Sequence, residues 1–490
     1  MAAMDTFAQR PNHREPAPPL SALWSATNNL RAFLEKLEEK KETVHIKTEV
    51  DPKYEIAAIA NKVNRQKGPA LYFEKVKGHD VPLVCNLFGT TKRYSMAFET
   101  TYEELPNEWI KRGAKGPVAP KIVKTGPCKE NKMFGDDINL LKFTIPIWNE
   151  KDAGRYITFG SVVTRDPDTG VQNAGMYRMM VHDKKTTGIL LPPFRHAELH
   201  RQRYEARGEA CPISIALGID PSLGLSTVVP YPQDVDEYHM AGALRGGKPV
   251  ELVKCETNDI LVPASSEIVI EGEIPIGVTK WEGPFGEFTG YYGKPLDRLV
   301  INVKAITFRN KPIYHGLYMG IPVPPTEETI VRGLPIKLEI LRTCPLPGIK
   351  KLSLTGMGAF NCVVSVKKEF DGFGKMMACS ILGLWAGRSI KTIIVVDDDI
   401  DPENWDEVDW ALAGRLFPDK DVEILKDYIC VPLDPTLRAR PREYGMSVCS
   451  KMIIDATRPI REDFPESTRP KPDVMKKVEA GWKKYGIELK

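Results

Sequence analysis

The sequence predicts a multi-domain α/β protein with a β-rich middle. Three observations carry this. A chain of 490 residues exceeds what one hydrophobic core usually serves. Helical and strand-like periods alternate toward both ends. Between residues 131 and 320 long helical periods are few, and short β-branched and aromatic runs separated by turn residues replace them.

Residues 1–26 are proline-rich, lack an apolar stretch of signal-peptide length, and read as a loose arm. In NNLRAFLEKLEEKK, Leu30, Phe33, Leu34 and Leu37 recur at helical spacing. VHIKTEV alternates as a strand, and DPKYEIAAIANKV predicts a helix with Asp51 as N-cap and Pro52 at its first position. Strand-like ALYFEKV and PLVCNLFG complete an N-terminal α/β domain over residues 27–130. Residues 131–320 hold YITFGSVVTRD, NAGMYRMMVHD, TGILLPP, ISIALGI, EIVIEGEI and LVINVKAITFR, a pattern that predicts a β-barrel domain. Over residues 321–450 NCVVSVKKEF, GFGKMMACSILGLWAG and IKTIIVVDDDI read as strand, helix, strand, with NWDEVDWALAGRLF a further helix. Residues 451–490 form a C-terminal extension. Its last helix sets Val474, Val478, Trp482 and Tyr485 on one face. An apolar stripe on so polar a helix needs cover, and a second subunit is the expected cover.

The 68 basic and 65 acidic residues, net charge +3, are spread without a basic block, so nucleic acid is not an expected partner. The nine cysteines never form C-x-x-C and read as reduced thiols of a cytoplasmic protein. No apolar run approaches the roughly 20 residues that span a bilayer.

Four clusters in the β-rich region could carry chemistry. NAGMYRMMVHD holds Asn173 and Arg178 at an odd offset, which strict alternation places on opposite strand faces. Either a bulge intervenes or the two serve different parts of one ligand; an exposed arginine on a strand would explain Arg178 alone. PPFRHAELHRQRYEARGE offers His196 and His200 one helical turn apart, although H-A-E-L-H is not the zinc-protease motif and surface His–Glu pairing explains an isolated H-x-x-x-H as well. YPQDVDEYHMAGALRGGKPV offers Asp234, Asp236 and Glu237, then an R-G-G-K turn that suits a phosphate or simply a turn. WEGPFGEFTGYYG sets Glu282 and Glu287 on either side of a Gly-Pro-Phe-Gly turn among aromatic residues. The turn breaks alternation and can aim both acids at one pocket. Two carboxyls in an apolar setting titrate as a pair, and a guanidinium can hold one ionised while the other keeps its proton. That arrangement supplies an acid and a base together.

These clusters, in this order, with TGPCKEN ahead of them and ELVKCETNDILVPASSEIVIEGE between, resemble the UbiD family of prenylated-FMN-dependent decarboxylases, which includes ferulic acid decarboxylase. The resemblance runs from about residue 27 to the tail helix. It implies a split-barrel flavin-binding domain at 131–320. Asn173, His196 and Glu237 match the family's divalent metal ligands, a set that suits manganese, magnesium or iron(II); His200 is not one of them. The resemblance further implies cofactor contacts from Asn173, Ala174, Gly175, Met176, Tyr177, Arg178, Arg195, His196, Glu237 and Trp385. It also implies a potassium site from backbone oxygens near Ala174, Ser226, Thr227, Val229 and Arg415, with Glu237. Arg178, Glu282 and Glu287 match the catalytic network: the cofactor takes the substrate as a covalent adduct, Arg178 holds Glu282 ionised, and Glu287 returns a proton where carbon dioxide leaves.

Two positions depart from the ferulic-acid type. Trp385 stands where those enzymes have a lysine near the cofactor, and Arg195 stands for a glutamine. Arg195 is then expected to make the phosphate contact in the lysine's place. The expected substrate is an aromatic or α,β-unsaturated acid; Lys350-Lys351 and Lys367-Lys368 leave room for an aromatic acyl-CoA such as phthaloyl-CoA. A flavin prenyltransferase is the implied supplier of the cofactor, and a homodimer or homohexamer the implied assembly. The competing readings are a split-barrel oxidoreductase using ordinary FMN and a silent subunit of a carboxylase complex.

Overall fold

Four strands, Thr43–Ile46, Ala70–Phe73, Leu83–Cys85 and, from far along the chain, Tyr314–His315, make the first sheet. The computed structural model describes residues 29–437, 448–460 and 463–487, apart from Phe194 and Pro324; the expected arm at 1–26 lies outside them. Helix Leu30–Glu39 buries Leu30, Phe33, Leu34 and Leu37, the stripe its periodicity predicts, and Asn29 caps it by accepting the Ala32 N–H at 3.0 Å. The second helix starts at Glu55, later than the Asp51–Pro52 signal predicts. Asp51 instead accepts the Lys53 N–H at 2.8 Å, and the Tyr54 N–H donates to the Ile147 carbonyl at 3.0 Å, so this stretch is tied down before the helix begins.

An eight-stranded antiparallel sheet forms the middle of the molecule. Its strands run in the order Thr186–Ile189, Leu296–Phe308, Ile268–Ile274, Cys211–Leu217, Ser161–Arg165, Gln172–Met176, with Thr279–Glu282 and Asn131–Phe134 also paired to the long Leu296–Phe308 strand. The hydrogen-bonded path is open, ending at Thr186–Ile189 and Gln172–Met176. Lys121–Val123 pairs with Glu251–Lys254, so the central unit begins ahead of residue 131.

The third unit is a five-stranded sheet, Ile349–Thr355, Asn361–Val366, Thr392–Asp397, Val448–Ala456 and Val422–Ile429. Asn361–Val366 and Thr392–Asp397 are parallel with helix Phe373–Leu382 between them, which is the expected strand–helix–strand unit. Val448–Ala456 belongs to this sheet, so the expected boundary at 450 falls inside a strand. Helix Glu327–Thr343 fastens the third unit to the first: the buried Glu327 carboxylate accepts the backbone N–H groups of Asn86 at 2.8 Å and Phe88 at 2.9 Å. The tail helix, Pro472–Ala480, and the turn Trp482–Tyr485 bury none of their residues within the chain. Among the described residues no helix is long and apolar enough to cross a membrane, and all nine cysteines are free thiols.

Candidate active site

A cavity opens between the central sheet and the third unit. Arg178 and Glu287 line it with Asn173, His196 and Glu237 on the central side, and Val331, Arg332, Phe360, Trp385 and Arg388 on the other. The odd offset between Asn173 and Arg178 is resolved by a slip in pairing. Ser161 faces Met176, but Ile157 faces Met179, so the register shifts by one residue across Tyr177–Arg178. Both side chains therefore reach the same space. Gly175 makes room beside them, because a side-chain carbon there would lie 2.6 Å from the Tyr177 ring.

Arg178 holds both glutamates. Its Nε donates to Glu282 Oε1 at 3.2 Å and its Nη1 to Glu287 Oε1. All three side chains are buried, Glu282 at 1% exposure and Glu287 at 4%. The Arg178 guanidinium lies 5.2 Å from the Phe285 ring centre. Burial raises the Glu282 carboxyl above its ordinary range, against the pull of Arg178. The aromatic surround is thinner than the sequence suggests: Phe285 and Phe288 are buried, but Trp281 is 61% and Tyr291 59% exposed. Strand alternation is the reason. Trp281 precedes Glu282 on Thr279–Glu282, so a buried Glu282 turns Trp281 outward.

The expected divalent-ion donors converge. The Asn173 amide donates to Glu237 Oε1 at 2.6 Å and lies 3.2 Å from His196 Nδ1; His196 Nδ1 is 3.9 Å from Glu237 Oε1. The other Glu237 oxygen accepts the Ala174 N–H at 2.8 Å. Burial pushes Glu237 up to about 8 and His196 down to about 4. A neutral imidazole, a carboxylate short of positive charge and a buried amide oxygen, Asn173 Oδ1, without a partner among the described residues fit a hard divalent cation. Amide oxygen and nitrogen are interchangeable by a flip, which would turn that oxygen toward the other two donors. His200 is occupied elsewhere, hydrogen-bonded through Nδ1 to Thr164 Oγ1 at 2.9 Å.

Of the expected potassium donors, Thr227, Val229 and Glu237 line the cavity, and Ala174 and Ser226 are buried next to lining residues. Arg415 is not among the residues that line it. Its guanidinium is bound in the third unit by Asp397 at 2.7 Å and Asp399 at 2.8 Å, acids of the neighbouring VVDDDI strand end. The R-G-G-K turn is likewise used within the fold: Arg245 pairs with Asp220 at 3.3 Å and Lys248 with Glu99 at 3.2 Å. An acyl-CoA substrate is not supported. Lys351 is held by Asp401 and Glu403, and Lys368 by Asp371 and the Arg458 carbonyl.

The cavity also holds residues that no sequence pattern marked. Arg332 and Arg388 come from the third unit and face Arg195. Burial, then the neighbouring Arg195 and Arg332, lower Arg388 to about 9. Glu328 is the carboxylate partner of Arg332, at 2.7 Å. Arg332 also covers Phe288, 3.9 Å from its ring centre, and Arg388 stacks 4.2 Å from the centre of Trp385. Three guanidiniums beside one carboxylate make an end of the cavity suited to an anion.

Three stretches of the chain match the 3-octaprenyl-4-hydroxybenzoate carboxy-lyase family, UbiD: its N-terminal domain at residues 34–113, its Rift-related domain at 121–322 and its C-terminal domain at 329–456. The chain is also 35% identical over 451 residues to the phenolic acid decarboxylase of Sedimentibacter hydroxybenzoicus, covering 88% of this chain and 92% of that one. The chain belongs to the UbiD family. It is therefore a carboxy-lyase. Among solved structures, the UbiD-class enzyme HmfF from Pelotomaculum thermopropionicum, in complex with FMN, is similar with a TM-score of 0.82 and 34% identity, over 92% of this chain and 99% of that one. The closed form of vanillic acid decarboxylase from Sedimentibacter hydroxybenzoicus is similar with a TM-score of 0.83 and 33% identity, over 95% of this chain and 100% of that one. The cavity lies between the second and third matched stretches of this chain, with Arg178 and Glu287 on the one side and Arg332 and Arg388 on the other.

Proposed function

We propose that this UbiD-family carboxy-lyase removes carbon dioxide, reversibly and without net oxidation, from a free aromatic or α,β-unsaturated carboxylic acid, with prenylated FMN as cofactor. One observation carries the reading: two buried glutamates share a single arginine at the wall of a cavity that also holds an ion-binding donor set. The relatives support it, since one is a phenolic acid decarboxylase and HmfF has been solved with FMN and, in an evolved dimeric form, with prFMN.

The flavin, when bound, supplies an electron sink for the carbon that loses its carboxylate. Asn173, His196 and Glu237 would hold Mn²⁺, or Mg²⁺ or Fe²⁺. Ala174, Ser226, Thr227, Val229 and Glu237 would hold K⁺. Arg195 and Arg388 would hold the flavin phosphate, and residues 173–178 and Trp385 would line the rest of the cofactor. Arg178 orients the substrate carboxylate and keeps Glu282 ionised. As carbon dioxide leaves, the electron pair stays on carbon, Glu287 donates its proton there, and solvent reprotonates Glu287. A general acid is needed because the departing group leaves a basic carbon in a site from which bulk water is excluded. The cofactor comes from a flavin prenyltransferase of the same cytoplasm, and the working form is a homo-oligomer, a dimer or a hexamer.

The test is mass spectrometry of the flavin released from protein produced with a flavin prenyltransferase, followed by carbon dioxide release from a panel of aromatic acids. The expected result is a flavin heavier than FMN by one prenyl-derived ring, with activity only when it is present. Full activity with unmodified FMN would overturn the reading.

A further inference from the structure

Two buried polar atoms beside the catalytic network, Glu282 Oε2 and His182 Nε2, have no hydrogen-bond partner among the described residues. They approach each other over Gly188. A side-chain carbon built there would lie 2.6 Å from Glu282 Oε2 and 3.0 Å from His182 Nε2. Gly188 sits on Thr186–Ile189, and the same turn returns His182 to it, the His182 N–H donating to the Thr186 carbonyl at 3.0 Å. Glycine thus keeps clear a small polar space between a carboxylate oxygen and an imidazole nitrogen. One water can bridge two such atoms, and buried polar pairs of this kind are commonly joined that way.

We propose that His182 is a positioning residue for decarboxylation, bonded through one water over Gly188 to Glu282 Oε2. The proposal rests on the role given to Glu282 above. Arg178 satisfies only Oε1 of Glu282, and an ionised oxygen left bare in the interior favours the protonated acid. A donor at Oε2 supplies the second hold. It keeps the carboxylate charged and turned toward Arg178.

The surrounding charges fit this role. Glu282 is faced by Arg178 and Glu287 through the network, by Tyr156, and by Arg298 of the long central strand. His182 is faced by Lys280 and Asp183, which pair with each other at 3.5 Å. Burial, then Lys280, lowers the His182 pKa, which favours the neutral imidazole with its single N–H. An anion across the water selects Nε2 for that proton. The ring is only half-buried, which leaves the bridging water a route to exchange with solvent.

The experiment compares His182→Phe and His182→Gln with the wild-type holoenzyme, reading the pH profile of kcat/KM, flavin content and Tm. Phenylalanine keeps the ring and removes the N–H; glutamine keeps an amide donor near Nε2. The acidic limb is expected to move up by about one pH unit in His182→Phe, about tenfold less activity below the limb, and to stay at the wild-type position in His182→Gln. An unmoved limb in His182→Phe overturns the proposal, and so do equal shifts in both variants, which would assign the effect to ring packing. Glu282→Gln, measured alongside, separates the two levels. Near wild-type turnover in that variant removes Glu282 from the mechanism and the proposal with it. An inactive Glu282→Gln with an unmoved limb in His182→Phe overturns the role of His182 alone.

Discussion

Ion binding at Glu237 should be linked to one proton. In the ion-free protein Glu237 is pushed up to about 8 by burial, while His196, also desolvated, sits at about 4. A divalent cation needs the carboxylate, so below pH 8 it must displace the Glu237 proton. His196 is already neutral above pH 5 and Asn173 has none to lose. Affinity should therefore rise by one logarithmic unit per pH unit below 8 and level off above it. From pH 6 to pH 8 the gain is ~50-fold, with each unit of slope worth about 1.4 kcal/mol. Titration of flavin-free protein with Mn²⁺, followed by the electron paramagnetic resonance of the free ion, measures this. Calorimetry in buffers of different ionisation enthalpy should find close to one proton released at pH 7. Glu237→Gln should bind weakly and without a pH slope.

The same shift predicts stability. The folded pKa of Glu237 lies above its ordinary value of 4.5, so over that window the folded state holds more protons than the unfolded. The contribution is fully present at low pH and is lost as pH rises toward 8. Ion-free protein should lose Tm from pH 6 to pH 8, and saturating Mn²⁺ should flatten that loss. A pH-independent Mn²⁺ affinity over this range would refute the burial argument. Release of two protons would show that His196 is protonated in the free site.

Glu287→Gln should keep flavin and substrate binding but lose roughly 10²–10⁴-fold in kcat, and wild-type turnover in deuterium oxide should label the carbon that lost its carboxylate; near wild-type turnover in the variant removes Glu287 as proton donor. Arg388→Leu should cut the preference for FMN over riboflavin about tenfold, the scale of one charge-assisted hydrogen bond, in a fluorescence titration of flavin-free protein, and an unchanged ratio would place the phosphate elsewhere. His200→Ala should retain wild-type Mn²⁺ affinity, because its ring is spent on Thr164; a loss matching that of His196→Ala would reassign the helix. Deleting residues 472–490 should reduce the oligomer by light scattering, since Val474 and Tyr485 are about half exposed in the single chain at 48% and 53%; an unchanged mass for a folded truncation counts against an interface there.

What could be read in advance followed local periodicity. The Leu30–Leu37 stripe and the parallel pair around Phe373–Leu382 needed only spacing and composition. The first sheet did not disclose its fourth strand, Tyr314–His315, because a pairing with Leu83–Cys85 across so long a loop leaves no local trace. Asp51 was a misleading cap for a related reason. Its side chain does bond a backbone N–H, but that of Lys53 in a turn, and the helix waits for the chain to finish its contact with Ile147.

The active site was legible in its residue types and opaque in its assembly. Glu282 and Glu287 are separated by a Gly-Pro pair that announces a break in alternation, so their convergence could be foreseen. Nothing at Tyr177–Arg178 announces the slip that turns Arg178 toward them; the shift arises where the strand leaves one partner, Ser161–Arg165, for another, Tyr156–Ile157. Arg332 and Arg388 carried still less signal. One sits mid-helix with an acid four residues before it, which on sequence reads as a solvated ion pair. The same Glu328–Arg332 pair is instead drawn into the cavity, Glu328 at 1% exposure with one oxygen unpartnered among the described residues. Burying a pair at that cost makes sense only where a ligand completes it. The slipped strand, the bare Glu328 oxygen and the clustered guanidiniums, three places where local rules fail, face one cleft. That coincidence is a physical argument for function, since isolated misfits would be scattered by chance and removed at a gain in stability.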